Sequence, residues 1–206
     1  MEMRVNATRM ELLKLKGRAK MAKRGHKLLK DKRDELVKEF MVLIRKNRDL
    51  RIKVEEKLRV AHASFLVARA VMPPEIMEEA FMGTNERIEV TSSSRTVMNV
   101  TVPVFELSKK GAGYAYGFAT TSGELDTALV NYAEVLPLMV ELAEVERAVE
   151  LLADEIEKTR RRVNALEYVL IPELDAAVKS ISMRLSEMER SNASRLMKIK
   201  DIVRAH

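Results

Sequence analysis

Apolar residues in the first third of the chain recur in alternating steps of three and four. The series is Leu12, Leu15, Ala19, Ala22, His26, Leu29, Arg33, Leu36, Phe40, Leu43, Asn47, Leu50, Val54, Lys57, Ala61, Ser64, Ala68 and Val71, and thirteen of these eighteen are apolar. A repeat of about 3.5 residues marks a helix that supercoils left-handedly with a partner. Thr8 followed by Glu11 predicts a capping box at its start. No proline intervenes before Pro73, and Gly25 is a single tolerated weak point. A helix from about Asn6 to Met72 is roughly 100 Å long at the usual rise per residue. A chain of 206 residues cannot wrap such a rod in a globular core, so the rod requires a partner helix.

The last part of the chain supplies one. Its stripe begins at Leu125, Leu129, Tyr132, Leu136 and Met139. It continues through Leu142, Val145, Val149, Leu152, Ile156, Val163, Leu166, Leu170 and Leu174. Val178, Ile181, Leu185, Met188, Ile199 and Ile202 complete it. Thr121 and Glu124 predict a second capping box. The successive fours at Leu170, Leu174 and Val178 are a stutter, which loosens a supercoil. Pro172 lies inside that stretch and predicts a bend, as does Pro137 nearer the start.

The intervening chain follows another pattern. Pro73-Pro74 ends the first helix, and residues 75–82 suit a short one. Val97, Val100, Val102 and Val104 predict a strand over residues 95–107. Ser108 to Gly113 predicts a turn and residues 114–120 a second strand, while the serines within Thr91–Thr96 suit a polar loop. The expected fold is mainly α: a long antiparallel two-helix coiled coil with a small β-hairpin and short-helix insert at the end distal to the termini. Its expected parts are residues 1–72, 73–123 and 124–206. A fold-back near residue 97 places residues 41–69 opposite 125–155. The first stretch carries Arg45, Lys46, Arg48, Arg51, Lys53, Lys57, Arg59 and Arg69. The second carries Glu134, Glu141, Glu144, Glu146, Glu150, Asp154, Glu155 and Glu157. Opposite charges beside a seam fix register more than they add stability.

Composition agrees with this architecture. Charged residues make up 33% of the chain and aromatics 4%, with 7 Gly and 5 Pro, which favours long helices over a compact core. There is no cysteine, so disulfides and thiolate metal sites are excluded and a reducing compartment is expected. No window approaches the apolar length of a membrane span. Catalytic chemistry is not visible. There is no P-loop motif, and Gly111-x-Gly113 is too short for a dinucleotide fingerprint. His26, His62 and His206 are scattered rather than spaced as metal ligands, and His26 falls on the seam. The glutamates of the second long segment lack the Glu-x-x-His of di-iron bundles and suit a solvated face. No enzyme activity, metal or cofactor is expected.

Charge concentrates near the beginning. Lys14, Lys16, Arg18, Lys20, Lys23, Arg24, Lys27, Lys30, Lys32 and Arg33 lie within twenty positions, and Asp31 is the sole acid among them. The net charge of +6 also admits phosphate-backbone binding. Against that, the run has few side chains for base edges, and the chain provides its own antiparallel partner.

Particular residues carry a resemblance. Thr159, Arg160, Arg161, Arg162, Val163, Asn164, Ala165, Leu166 and Glu167, followed by Val169-Leu170-Ile171-Pro172, resemble the signature of the D subunits of archaeal and vacuolar-type rotary ATPases. Leu185-x-Glu187-x-Glu189-Arg190 and Arg195-Leu196-x-Lys198-Ile199-Lys200 fit the family's carboxy-terminal portion, and Gly25-His26 through Asp34 fits its first helix. Ala7 stands where the family's opening usually has proline. The match covers both helices, whereas residues 73–123 carry no matching motif.

The resemblance implies a non-catalytic rotor shaft, the central stalk, that carries torque between ATP turnover and proton or sodium translocation. The implied partners are the catalytic A and B subunits of the ATPase ring, the small F subunit, and the funnel-shaped C subunit (d-type) on the membrane rotor ring. The implied location is the cytoplasmic side of the membrane, in a soluble part of the complex. Lys14, Lys16, Arg18, Lys20, Lys23, Arg24, Lys27, Arg195, Lys198, Lys200 and Arg204 are expected to face acidic or carbonyl-rich surfaces of the ring. The insert is expected either to cap the coiled coil or to dock a partner. The competing readings are a stand-alone coiled-coil scaffold and a basic helical nucleic-acid-binding protein.

Overall fold

The computed structural model describes residues 6–83, 86–111 and 116–204. Helix α1 spans Arg9–Val71 and α2 Pro74–Met82. Strands β1 and β2 are Arg87–Val97 and Val100–Lys110. Helix α3 spans Gly123–Ala165, a π-helical turn covers Leu166–Leu170, and α4 spans Ile171–Arg204. The fold is mainly α, built on antiparallel packing of long helices with a small β-hairpin between them. By its contacts the chain divides into two units: Leu36–Glu155, and the chain up to Glu35 with the chain from Ile156.

In the unit Leu36–Glu155, three side-chain contacts set direction and register. Ser64 accepts from Asn131 Nδ2 at 2.6 Å, Lys57 meets Glu134 at 2.6 Å, and Lys46 meets Glu141 at 2.7 Å. Residue numbers rise on one helix as they fall on the other, so α1 and α3 run antiparallel here. Both ion pairs join residues that charge patterning had placed opposite each other. They are exposed, and such pairs add little stability. The hydrogen bond from Lys57 holds the Glu134 carboxyl below the usual glutamate range. That contribution is present above the ordinary carboxylate pKa and fades as pH falls through the lowered one.

The core of this unit is a narrow seam. Val54, Ala61 and Val135 form one buried cluster, flanked by Leu58, Tyr132, Leu138 and Leu142. Ala68, Met72, Met77, Ala80 and Leu125 form another, where α2 folds against the end of α1 and the start of α3. Pro74 opens α2, where a proline costs no helical hydrogen bond. Of the eighteen predicted seam positions of α1, only Lys57 and Val71 are exposed; Leu58 and Met72 face inward instead.

The predicted hairpin is present, but its turn is elsewhere. The chain reverses at Met98-Asn99, where φ is 50° and 70°, with Val97 paired to Val100. Two successive positive φ values define the type I′ connection that matches strand twist. The single strand expected over residues 95–107 is therefore two half-strands. The serine loop is part of β1, whose polar residues face solvent. Of the second strand expected over 114–120, Tyr114 and Ala115 lie outside the described residues, and Phe118–Thr120 form a turn. Gly113 of the expected turn also lies outside them. The overlooked signal was the step of three from Val97 to Val100, which no continuous strand of period two permits. Methionine is a costly residue at a left-handed position. Replacing Met98-Asn99 by Asn-Gly is expected to stabilise the hairpin by about 1 kcal/mol. Hydrogen exchange at the Val102 amide should slow roughly fivefold.

Both internal prolines are accommodated by specific devices. Pro137 leaves the Ala133 carbonyl without its helical donor, and Lys109 Nζ from β2 lies 3.5 Å from that oxygen. Glu144 accepts the Phe105 backbone N–H at 3.1 Å, which ties the outer edge of β2 to α3. Pro103 shares that outer edge, where its missing N–H interrupts no ladder bond. Ahead of Pro172 the helix widens into the π turn, in which the Ile171 N–H reaches back to the Leu166 carbonyl. The extra residue relieves the crowding that proline imposes on the preceding turn.

In the other unit, Leu15 and Ala19 pack against Leu174 and Ile181, with Leu12, Ala22, Ala177, Val178 and Leu185 around them. Arg9 meets Glu189, and Lys23 meets Asp175, so α1 and α4 are antiparallel. Glu11 N–H donates to Thr8 Oγ1 at 3.2 Å, the expected cap of α1. The second expected cap shifts by one residue: Ser122 Oγ, not Thr121, accepts the Glu124 N–H. Leu170, Met139, Met188, Ile199 and Ile202, all predicted on the seam, are exposed. For Leu170 the cause is the π turn, after which Ile171 takes the inward position.

Candidate functional site: a basic helix face and a bare helix end

The packing of α1 against α4 uses one narrow face of α1, through Leu12, Leu15, Ala19 and Ala22. The remaining circumference is left to solvent. Lys14, Lys16, Arg18, Lys20, Lys23, Arg24 and Lys27 are all exposed on it. Five of them, Lys16, Lys20, Lys23, Arg24 and Lys27, line a shallow groove of about 470 Å³ beside α4. Ala19 and Val178 form its floor, and Asp175 is the acid within it. Lys23 is paired to that carboxylate at 2.9 Å.

The far end of α4 differs. Arg9, the first residue of α1, meets Glu189, so α4 continues to Arg204 beyond the start of its partner helix. Every residue from Asn192 to Arg204 is exposed. Arg195, Lys198, Lys200 and Arg204 lie here, interleaved with exposed Leu196, Met197, Ile199, Ile202 and Val203. Leu196, Ile199 and Val203 share one helical stripe by their spacing. Ile199 and Ile202 are bare because α1 has no residue to place against them. The seam pattern in the sequence continued past the point where the seam itself stops.

The signature residues occupy structural positions. Val163 is buried, and Leu166 and Glu167 open the π turn before Pro172. His26 Nε2 lies 3.3 Å from Glu167 Oε2, joining two parts of the signature across the helix pair, next to Gly25. Arg161 pairs with Glu157 one turn back, while Arg160, Arg162, Asn164 and Ala165 are exposed. Thr159, 1% exposed, is a seam position that a count of apolar residues misses. Among the described residues no group of three His, Asp or Glu is placed to hold a metal ion. No helix among them is long and apolar enough to cross a membrane.

Residues 11–201 match the family model that describes the D subunit of ATP synthase. The chain belongs to the family of ATP synthase D subunits. Relatives agree along nearly its whole length. It is 56% identical to the V-type ATP synthase D subunit of Acetivibrio thermocellus, covering 98% of this chain and 92% of that protein. It is 52% identical to the V-type ATP synthase D subunit of Clostridium botulinum, over 98% of this chain and 96% of the other. The protein of the same name from a Thermoanaerobacter species is 52% identical, over 97% and 96%. As a member of this D family, the chain is a component of a rotary complex, which fits helices whose outer faces are charged rather than hollowed into a catalytic cleft.

Proposed function

We propose that this protein is the central rotor shaft of its complex, carrying torque between the catalytic A and B ring and the ion-translocating membrane rotor. The observation that carries this reading is antiparallel pairing of long helices by narrow seams, joined to membership of the D-subunit family. Paired helices resist twist better than one, and their charged outer faces make weak, exchangeable contacts that permit sliding. An asymmetric shaft presents a different face to each catalytic site at any moment. Each site then takes a different nucleotide affinity, which is coupling by differential contact. The shaft itself makes and breaks no bond.

In this reading the basic face of α1 and the bare end of α4 sit within the A and B ring. The α4 end brings exposed apolar residues as well as cations, so its surroundings would be amphipathic rather than purely acidic. The F subunit and the funnel-shaped C subunit would bind elsewhere on the shaft, on the cytoplasmic side of the membrane. The β-hairpin, held to α3 through Glu144 and Lys109, would serve as a docking element. Affinity capture of the tagged chain from its native cells should recover the catalytic ATPase subunits. Recovery of the chain as a homo-oligomer without them would favour a stand-alone scaffold and sink the proposal.

A further inference from the structure

The groove beside α4 holds more positive charge than its own fold neutralises. Among the described residues, Lys23 is paired with Asp175, whereas Lys16, Lys20, Arg24 and Lys27 have no carboxylate partner. These four follow one another in steps of four, four and three along α1. They form one stripe about 16 Å long, with a cation on each successive turn. Like charges one turn apart repel, so the stripe weakens α1 while it stands empty. The groove floor is apolar, made by Ala19 and Val178.

We infer that this groove is the seat for an acidic amphipathic helix of a partner protein in the complex, with carboxylates one turn apart and small apolar residues between them. The inference rests on the rotor reading and adds where on the shaft one contact falls and what its partner carries. A third helix laid along the groove between two packed helices follows the same ridge spacing as α1. Its Asp or Glu residues, in steps of three and four, would each meet one of Lys16, Lys20, Arg24 and Lys27. An apolar residue between them would cover Ala19 and Val178. A phosphodiester chain would neutralise the cations but leave that floor uncovered. Ion pairs at such a site set orientation and association rate, and their salt sensitivity allows release as the shaft turns.

The test uses the full chain and a fluorescent helical peptide bearing Glu in steps of three and four around an alanine strip. Its binding is followed by anisotropy at low ionic strength. A peptide of the same composition with permuted spacing is the control. The ordered peptide should bind about tenfold more tightly than the permuted one. Lys16→Glu, Lys20→Glu and Lys27→Glu together should abolish that preference, with helical circular dichroism unchanged. Lys14→Glu with Arg18→Glu, outside the groove, should leave it intact. Equal affinity for both peptides, no binding of either, or equal losses in both variants would overturn the inference. So would tripolyphosphate displacing the peptide and binding more tightly, which would make the groove a phosphate site. The rotor reading fails separately, if the unaltered chain does not recover catalytic subunits from cells.

Discussion

Cutting the chain after Ser191 is expected to leave the fold intact and to cripple coupling. Asn192 to Arg204 are exposed throughout, and α1 has no residue opposite them, so their removal opens no seam. Thermal unfolding should move little. In the assembled complex the outcome should be different. Leu196, Ile199 and Val203 would lose their apolar surroundings, and Arg195, Lys198, Lys200 and Arg204 their polar ones. If this end bears on the ring, ATP-driven ion transport should fall roughly tenfold, the loss expected when about 1.4 kcal/mol of coupling is removed. Reconstituted complexes, assayed for transport and hydrolysis together, would show hydrolysis outrunning transport. Full coupling in a complex that carries the shortened chain would mean that the α4 end is no bearing.

Leu125→Ala should be the most damaging single change to stability. Leu125 is 0% exposed and packs with Ala68, Met72, Met77 and Ala80, where α1, α2 and α3 converge. Truncating it leaves a cavity in a cluster built partly from short side chains, which cannot easily collapse around the gap. The expected loss is about 3 kcal/mol, within the range for a buried leucine. Chemical denaturation followed by helical signal should show it as a lower midpoint. Leu170→Ala is the informative control. It sits on the same sequence stripe, but the π turn has rotated it outward, so its loss should stay within about 0.5 kcal/mol. Equal losses at the two positions would show that the π turn does not displace Leu170 from the seam in solution.

The antiparallel pairing was legible from periodicity alone. The three-four stripes and the opposed charges were independent signals, and Lys57–Glu134 and Lys46–Glu141 lie where both pointed. The insert was less legible. A polar strand such as Arg87–Val97 has no inward face to write an alternating pattern, so β1 looked like a loop. The basic candidates were found by counting charge. The bare apolar stripe on α4 was missed because its residues read as a continuation of the seam.

Local rules and repeats therefore determined the long helices, the cap at Thr8, the direction of pairing and the cationic face. These depend on neighbours a few residues apart, and spacing in the chain is spacing on the helix. Only the tertiary structure decided which stripe residues are buried. Whether Ile199 is core or surface depends on where another helix begins, nearly the whole chain away. The same holds for the turn at Met98-Asn99, the proline carbonyl met by Lys109, and the groove whose cations lack partners. Each of these is fixed by what lies across the seam or the sheet, a distance that no local pattern encodes.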